Sequence, residues 1–186
     1  MEKLPPNAAL ILIDIQQGMD DAKWGARNNP HAETNAAAML AAWRASQRPV
    51  IHVRHASKNK TSPLHPDYPG HRIKDMVAPL PEETLFTKQE NSAFIGTALE
   101  AHLRAKGIAT LVLCGLTTQH CVSTTVRMAG NLGFTCFLAE DAVAAFAQKD
   151  HRGKEYDAET VHAVSLATLH NEFATVTDTK EILSAI

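Results

Sequence analysis

Short apolar runs punctuate the chain at regular intervals. They fall at Ala8–Ile13, Val50–Val53, Leu85–Thr87, Thr110–Cys114, Phe134–Leu138 and Phe173–Val176. Several of them show no apolar–polar alternation, the pattern of strands covered on both faces. Four stretches of helical composition lie between them: Glu33–Gln47, Thr97–Lys106, Cys121–Leu132 and Asp157–Asn171. Gly107 after Lys106 and Gly133 after Leu132 read as helix stops. A β-α-β-α order predicts an α/β fold, a parallel sheet with helices on both faces.

No repeat or interdomain linker interrupts this pattern, and 186 residues fit a single domain spanning 1–186. One segment departs from it. His55 to Glu83 holds five of the nine prolines together with His65, Asp67, Tyr68 and His71. A connection of that length inside a compact domain predicts a lid or specificity loop, the alternative being a surface excursion stiffened by its prolines.

Composition narrows the classes further. Hydrophobic residues make up 45% and charged residues 20%, with a formal charge of −2 and no block of like charge. Disorder, a nucleic-acid partner and an anionic membrane surface are not expected. The N-terminal MEKLPPNAALILID lacks the pattern of a secretory signal, and Ala8–Ile13 is too short to span a bilayer. Three cysteines without paired spacing read as reduced thiols of a cytoplasmic protein. Neither CxxC nor HExxH occurs, so no metal and no cofactor is expected.

In an open parallel sheet, ligands sit beyond the carboxyl ends of the strands. Asp14 closes the first run, Lys88 follows the third, and Cys121 follows the fourth where a helix is expected to begin. Singly, Asp14 reads as a turn residue, Lys88 as a solvated charge and Cys121 as a small core residue. Together they describe nucleophilic acyl transfer. A helix N-terminus and a nearby ammonium would favour thiolate, and a carboxylate could hold the lysine and shuttle the thiol proton. The Gly115–Thr118 turn could present N–H groups which, with that of Cys121, would stabilise an oxyanion. Phe94 is a candidate apolar wall, and Trp24 either packs or walls the pocket. Cys114 and Cys136 read as buried and inert, and His162 and His170 as satisfied or solvated helix residues. His120 ranks below Lys88 as a partner of the cysteine, and Asp141 reads as a cap or a distant orienting group.

Three blocks carry a resemblance. They are Asp14-Ile15-Gln16, the stretch Lys88 to Phe94 (KQENSAF), and Gly115 to Val122 (GLTTQHCV), followed by Glu140-Asp141-Ala142. In this order and spacing the chain resembles the isochorismatase-like cysteine hydrolases, which include nicotinamidases, several amidases, biuret-type hydrolases and streptothricin hydrolase. The resemblance implies a three-layer αβα fold whose six-stranded parallel sheet has the order 3-2-1-4-5-6. It further implies an Asp14–Lys88–Cys121 triad and a non-proline cis peptide before Thr117. The oxyanion hole would then be formed at Thr117 and Cys121. Members of the superfamily are commonly homo-oligomers, so a dimer or tetramer is expected.

Members that cleave isochorismate need no cysteine nucleophile, so Cys121 points to C–N hydrolysis of a small amide or ureide through a thioester. Phe94, His55 and Tyr68 are the expected substrate contacts. Two alternatives stand beside this reading. One is a metal-assisted, nicotinamidase-like amidase, disfavoured because His55-Ala56-Ser57 stands where those enzymes carry Asp-x-His, although His52, His55, His65 and His71 remain. The other is a non-catalytic thiol redox sensor, for which the Asp14 carboxylate would have little use.

Overall fold

The computed structural model describes residues 2–186. Its main sheet has six parallel strands: β1 (Ala9–Ile13), β2 (Val50–His55), β3 (Thr84–Lys88), β4 (Thr110–Leu116), β5 (Thr135–Ala144) and β8 (Thr175–Thr177). Their spatial order is β3-β2-β1-β4-β5-β8, which is 3-2-1-4-5-6 when only sheet strands are counted. Five α-helices cover it: α1 (Ala32–Ala45), α2 (Leu99–Ala105), α3 (Ser123–Asn131), α4 (Ala158–Ala167) and α5 (Thr179–Ser184).

The unalternating apolar runs follow from two-sided burial. Ala9, Ile11 and Ile13 of β1, with Leu111 and Leu113 of β4, pack in one layer with Leu99, Leu103, Val126 and Leu166. Leu10 and Leu12, with Val112 and Cys114, pack in the other with Met39, Leu40, Trp43 and Ile182. Burial is complete or nearly so along both central strands, so after Thr110 at the start of β4 no position of either carries a polar side chain. The Trp43 indole spends its one donor on the Ala8 carbonyl at 2.9 Å.

The structure also departs from the expected elements. β2 runs further than its apolar core, to His55, because ladder pairing with β3 continues through polar residues, and β5 reaches Ala144 because pairing with β4 resumes at Val143 past an irregularity. α1 stops at Ala45, with Gln47 at φ 53°. The helical stretch expected from Cys121 begins instead as a π-helical turn, Thr118–Val122, leading into α3. Two elements had no sequence signal: the short hairpin of β6 (Gln148–Lys149) with β7 (Glu155–Tyr156), and α5. Asp178 caps α5 by accepting from the Glu181 N–H at 2.7 Å, as Asp157 caps α4 through Thr160. Among the described residues no helix is long and apolar enough to cross a membrane.

The long excursion after β2 is tightly stitched. Gln16 is wholly buried, and its side-chain amide donates to the carbonyls of His55 (3.0 Å) and His71 (2.9 Å). Its oxygen accepts from the His55 N–H at 2.8 Å. Lys74 adds a second tie, from its ammonium to Asp20 (2.5 Å) and Glu33 (2.7 Å), and Arg27 grips Glu33 with two bonds of 2.7 and 2.6 Å. Burial alone would raise the Glu33 carboxyl, but the bonds from Arg27 and Lys74 outweigh it and hold it at about 2.

Candidate functional site

Parallel pairing aligns the carboxyl ends of the central strands. Ile13 lies opposite Val53 and Gly115, and His55 opposite Lys88. Asp14 follows Ile13 with φ 53°, a left-handed turn that aspartate tolerates better than most residues. At Gly115, φ is 129° and a Cβ would sit 2.0 Å from the Ile13 carbonyl oxygen, so only glycine lets β4 approach β1 here. The peptide bond between Leu116 and Thr117 is cis. Beyond it Thr117 is extended, and its N–H meets no protein acceptor among the described residues.

At this edge the three sequence-separated side chains meet. Asp14 is fully buried and Lys88 is 1% exposed. The Lys88 Nζ lies 2.6 Å from Asp14 Oδ2, 3.2 Å from Cys121 Sγ and 3.2 Å from His55 Nδ1. An ammonium has three N–H bonds, and these three partners account for all of them. The other carboxylate oxygen, Asp14 Oδ1, has no protein partner. Cys121 Sγ also stands 3.9 Å from Asn91 Oδ1.

The expectation of a thiol poised as thiolate is corrected by burial. Desolvation pushes the Cys121 thiol up to about 12; the Asp14 charge pushes the same way, and Lys88 opposes both without winning. The cysteine sits inside the π-helical turn, 8% exposed, so loss of hydration outweighs what the helix end and the ammonium supply. His55 is shifted down, by burial first and then by the Lys88 charge, which keeps its ring neutral at pH 7.

A cavity of about 590 Å³ opens in front of Cys121. His55, Ser57, Asn59, Ser62 and Leu64 of the excursion form one wall, and Met19, Trp24 and Phe146 an apolar one. Thr117, Gln119, His120 and Asn91 complete it around the sulfur. Trp24 is held by its indole N–H to the Gly18 carbonyl (2.7 Å) and lies against Phe146.

Two of the expected substrate contacts lie elsewhere. Phe94 is 9% exposed and stacks on Phe134 at 5.9 Å, within the core cluster that includes Cys121. Tyr68 is 46% exposed and faces a neighbouring depression with Pro63, Pro69 and Asp20. His55 does line the cavity. Asp141 accepts from the N–H and hydroxyl of Thr179 and from Asn35, so it ties β5 to α5 and α1, away from the sulfur. His162 is buried and faces the Thr118 hydroxyl at 3.0 Å, beneath the π-helical turn. The pairing of Gln16 and His55 and the cavity positions of Asn91, Gln119 and Phe146 were not read from the sequence.

Metal-binding capacity is limited by the same geometry. Donor atoms of Asp14, His55 and Cys121 lie within 4.8 Å of one another, the only such group among the described residues. The Lys88 ammonium contacts all three, so a cation would have to displace a buried positive charge. The remaining histidines are engaged separately: His52 with Glu83, His65 with Asp67, and His71 with the His55 and Leu64 carbonyls.

Comparison with known proteins follows this geometry. The sequence profile of the isochorismatase domain matches residues 8–181. An uncharacterised isochorismatase family protein of Bacillus subtilis, YrdC, is 49% identical over 176 residues, 95% of this chain and 94% of its own. A solved structure from Chromobacterium violaceum, described as a hydrolase of the isochorismatase family, superposes with a TM-score of 0.96 at 48% identity, over 100% of this chain and 96% of that one. The ureidoacrylate amidohydrolase RutB of Azorhizobium caulinodans is 37% identical over 70 residues, 38% of this chain and 31% of its own. With the profile spanning nearly its whole length, the chain belongs to the isochorismatase family of hydrolases, among the isochorismatase-like cysteine hydrolases.

Proposed function

We propose that the protein hydrolyses a C–N bond of a small amide or ureide through a thioester on Cys121. The observation that carries this reading is the buried contact of Lys88 with both Asp14 and Cys121, at 2.6 and 3.2 Å, behind the cavity that Cys121 lines. A thiol raised to about 12 is a poor nucleophile at neutral pH, so attack needs a base acting as the S–C bond forms. The Asp14 carboxylate, with Oδ1 unpartnered, is that base. Lys88 holds the carboxylate in place and balances the negative charge on sulfur during attack. The N–H groups of Thr117 and Cys121 receive the developing oxyanion.

The carbonyl carbon of the substrate is attacked, ammonia or an amine leaves, and water then cleaves the thioester. Similarity to an amidohydrolase supports the C–N reading, and a nucleophilic cysteine is superfluous for vinyl-ether cleavage.

The test is mass spectrometry of the intact protein mixed with a panel of small amides and ureides. An acyl adduct should appear on Cys121, and Cys121→Ser should form none and lose nearly all turnover. Retention of more than about a tenth of the activity by Cys121→Ser would refute the nucleophile, since removing one member of such a unit costs orders of magnitude.

A further inference from the structure

The proton that Asp14 takes must reach the leaving nitrogen, yet Asp14 is fully buried and is not part of the cavity wall. Lys88, at 1% exposure, stands in the same position. His55 does line the cavity, and it is joined to Asp14 through Lys88 by contacts of 3.2 and 2.6 Å. Because an ammonium can only donate, Nδ1 of His55 must accept, which leaves the ring hydrogen on Nε2. Nε2 has no protein hydrogen-bond partner among the described residues. The backbone of His55 is clamped on both sides by the Gln16 amide, with bonds of 3.0 and 2.8 Å, so the ring is built on a fixed base.

We infer that His55 is the catalytic acid and base at the cavity face, exchanging protons with Asp14 through Lys88. This rests on the amide-hydrolase reading above.

The steps balance. In acylation the Cys121 S–H proton passes to Asp14 as sulfur bonds to the carbonyl carbon. When the C–N bond breaks, Nε2–H gives its proton to the leaving nitrogen, Lys88 gives one to Nδ1, and Asp14 returns one to Lys88. Asp14 is again a carboxylate and Lys88 an ammonium, and the His55 hydrogen now sits on Nδ1. Nε2, stripped of its hydrogen, is then the base that accepts a proton from the water attacking the thioester. The reverse transfers carry a proton back to Asp14 and from there to the departing sulfur. One turnover restores every group.

The informative variant is His55→Asn, whose side-chain oxygen can still accept from Lys88 but which has nothing at the Nε2 position. Two acyl donors separate its role from mere support of the site. An amide needs a proton on its leaving nitrogen, whereas a nitrophenyl ester releases a phenolate that needs none. With the ester, His55→Asn should acylate Cys121 at close to the wild-type rate and then stall as acyl-enzyme, visible as a burst of nitrophenolate and a persistent mass adduct. With an amide, acylation should fall about a hundredfold, the lower end of what a general acid contributes. Equal loss on both donors would make His55 a structural support, and no loss on the amide would remove it from the proton path; either overturns the inference.

A second measurement does not depend on amide turnover or on the variant folding. Nitrogen-15 NMR of the wild-type ring should show Nε2 protonated and Nδ1 accepting. A ring protonated at Nδ1 overturns the assignment. Should the wild type form no adduct from any amide, the hydrolase reading fails by itself, while the ester burst and the ring tautomer still decide the role of His55.

Discussion

Replacing Lys88 by Met removes an ammonium but keeps a long unbranched side chain of similar reach. The perturbation is severe because the carboxylate it leaves behind keeps no cationic partner. Asp14 is fully buried, Oδ2 bonds Lys88 at 2.6 Å and Oδ1 bonds nothing in the protein. Breaking a buried pair by removing one partner typically costs about 3–5 kcal/mol. For a domain of this size that corresponds to a fall in Tm of about 6–20 °C. Asp14→Asn leaves the Lys88 ammonium buried without its counter-charge and should cost a comparable amount, about 3–5 kcal/mol. The double variant Asp14→Asn/Lys88→Met buries no isolated charge, so it should recover most of the stability lost by Lys88→Met, a coupling that urea titration of all four proteins measures directly. Turnover should stay lost in every variant. A cost below about 1 kcal/mol for Lys88→Met, or a double variant less stable than Lys88→Met, would show that the ammonium is not the counter-charge of Asp14.

Three other outcomes follow from the same structure. With the thiol raised by burial and by the Asp14 charge, alkylation of Cys121 by iodoacetamide should keep climbing through pH 9 without levelling; a plateau below pH 8 would refute the buried-thiol picture. Glu33 is depressed from 4.5 to about 2, so its contribution, about 3 kcal/mol at most, is present above pH 4.5 and lost as pH falls toward 2; Glu33→Gln should lower stability at neutral pH and flatten that acid-side decline in urea titrations. Leu64→Ala should change the ratio of kcat/KM between short and longer amides because Leu64 walls the cavity, whereas Tyr68→Ala should leave it within about twofold; a larger effect of Tyr68→Ala would place specificity in the neighbouring depression.

What the sequence determined by itself is the frame and the three side chains that meet at the carboxyl edge of the sheet. Ala9–Ile13 and the stretch 111–116 carry no polar side chain because both faces of a central strand are covered, and that property is visible residue by residue. Asp14, Lys88 and Cys121 were legible because each sits at or soon after the carboxyl end of a strand, and parallel pairing brings such ends to one edge whatever the loops between them do. The lengths of β2 and β5, α5 and the two-residue hairpin were not legible, since these elements are short or polar and owe their form to neighbours such as the anchoring of Thr179 by Asp141.

The state of the thiol also belongs to the tertiary structure. A helix end and a lysine at a neighbouring strand end argue for thiolate, but how much water the sulfur loses is set by what packs around it, and that reverses the sign. The cavity wall was settled in the same way. Tyr68 was the contact expected from the proline-rich segment, but the fastening of that segment by Gln16, His71 and Lys74 turns Leu64 inward and leaves Tyr68 on the outside. His55 gained its neighbour Lys88 through the register of β2 on β3, a pairing 33 residues apart that no local pattern encodes. Local composition sets which residues are buried and where strands end; contacts between distant segments set hydration, protonation and the walls of the site.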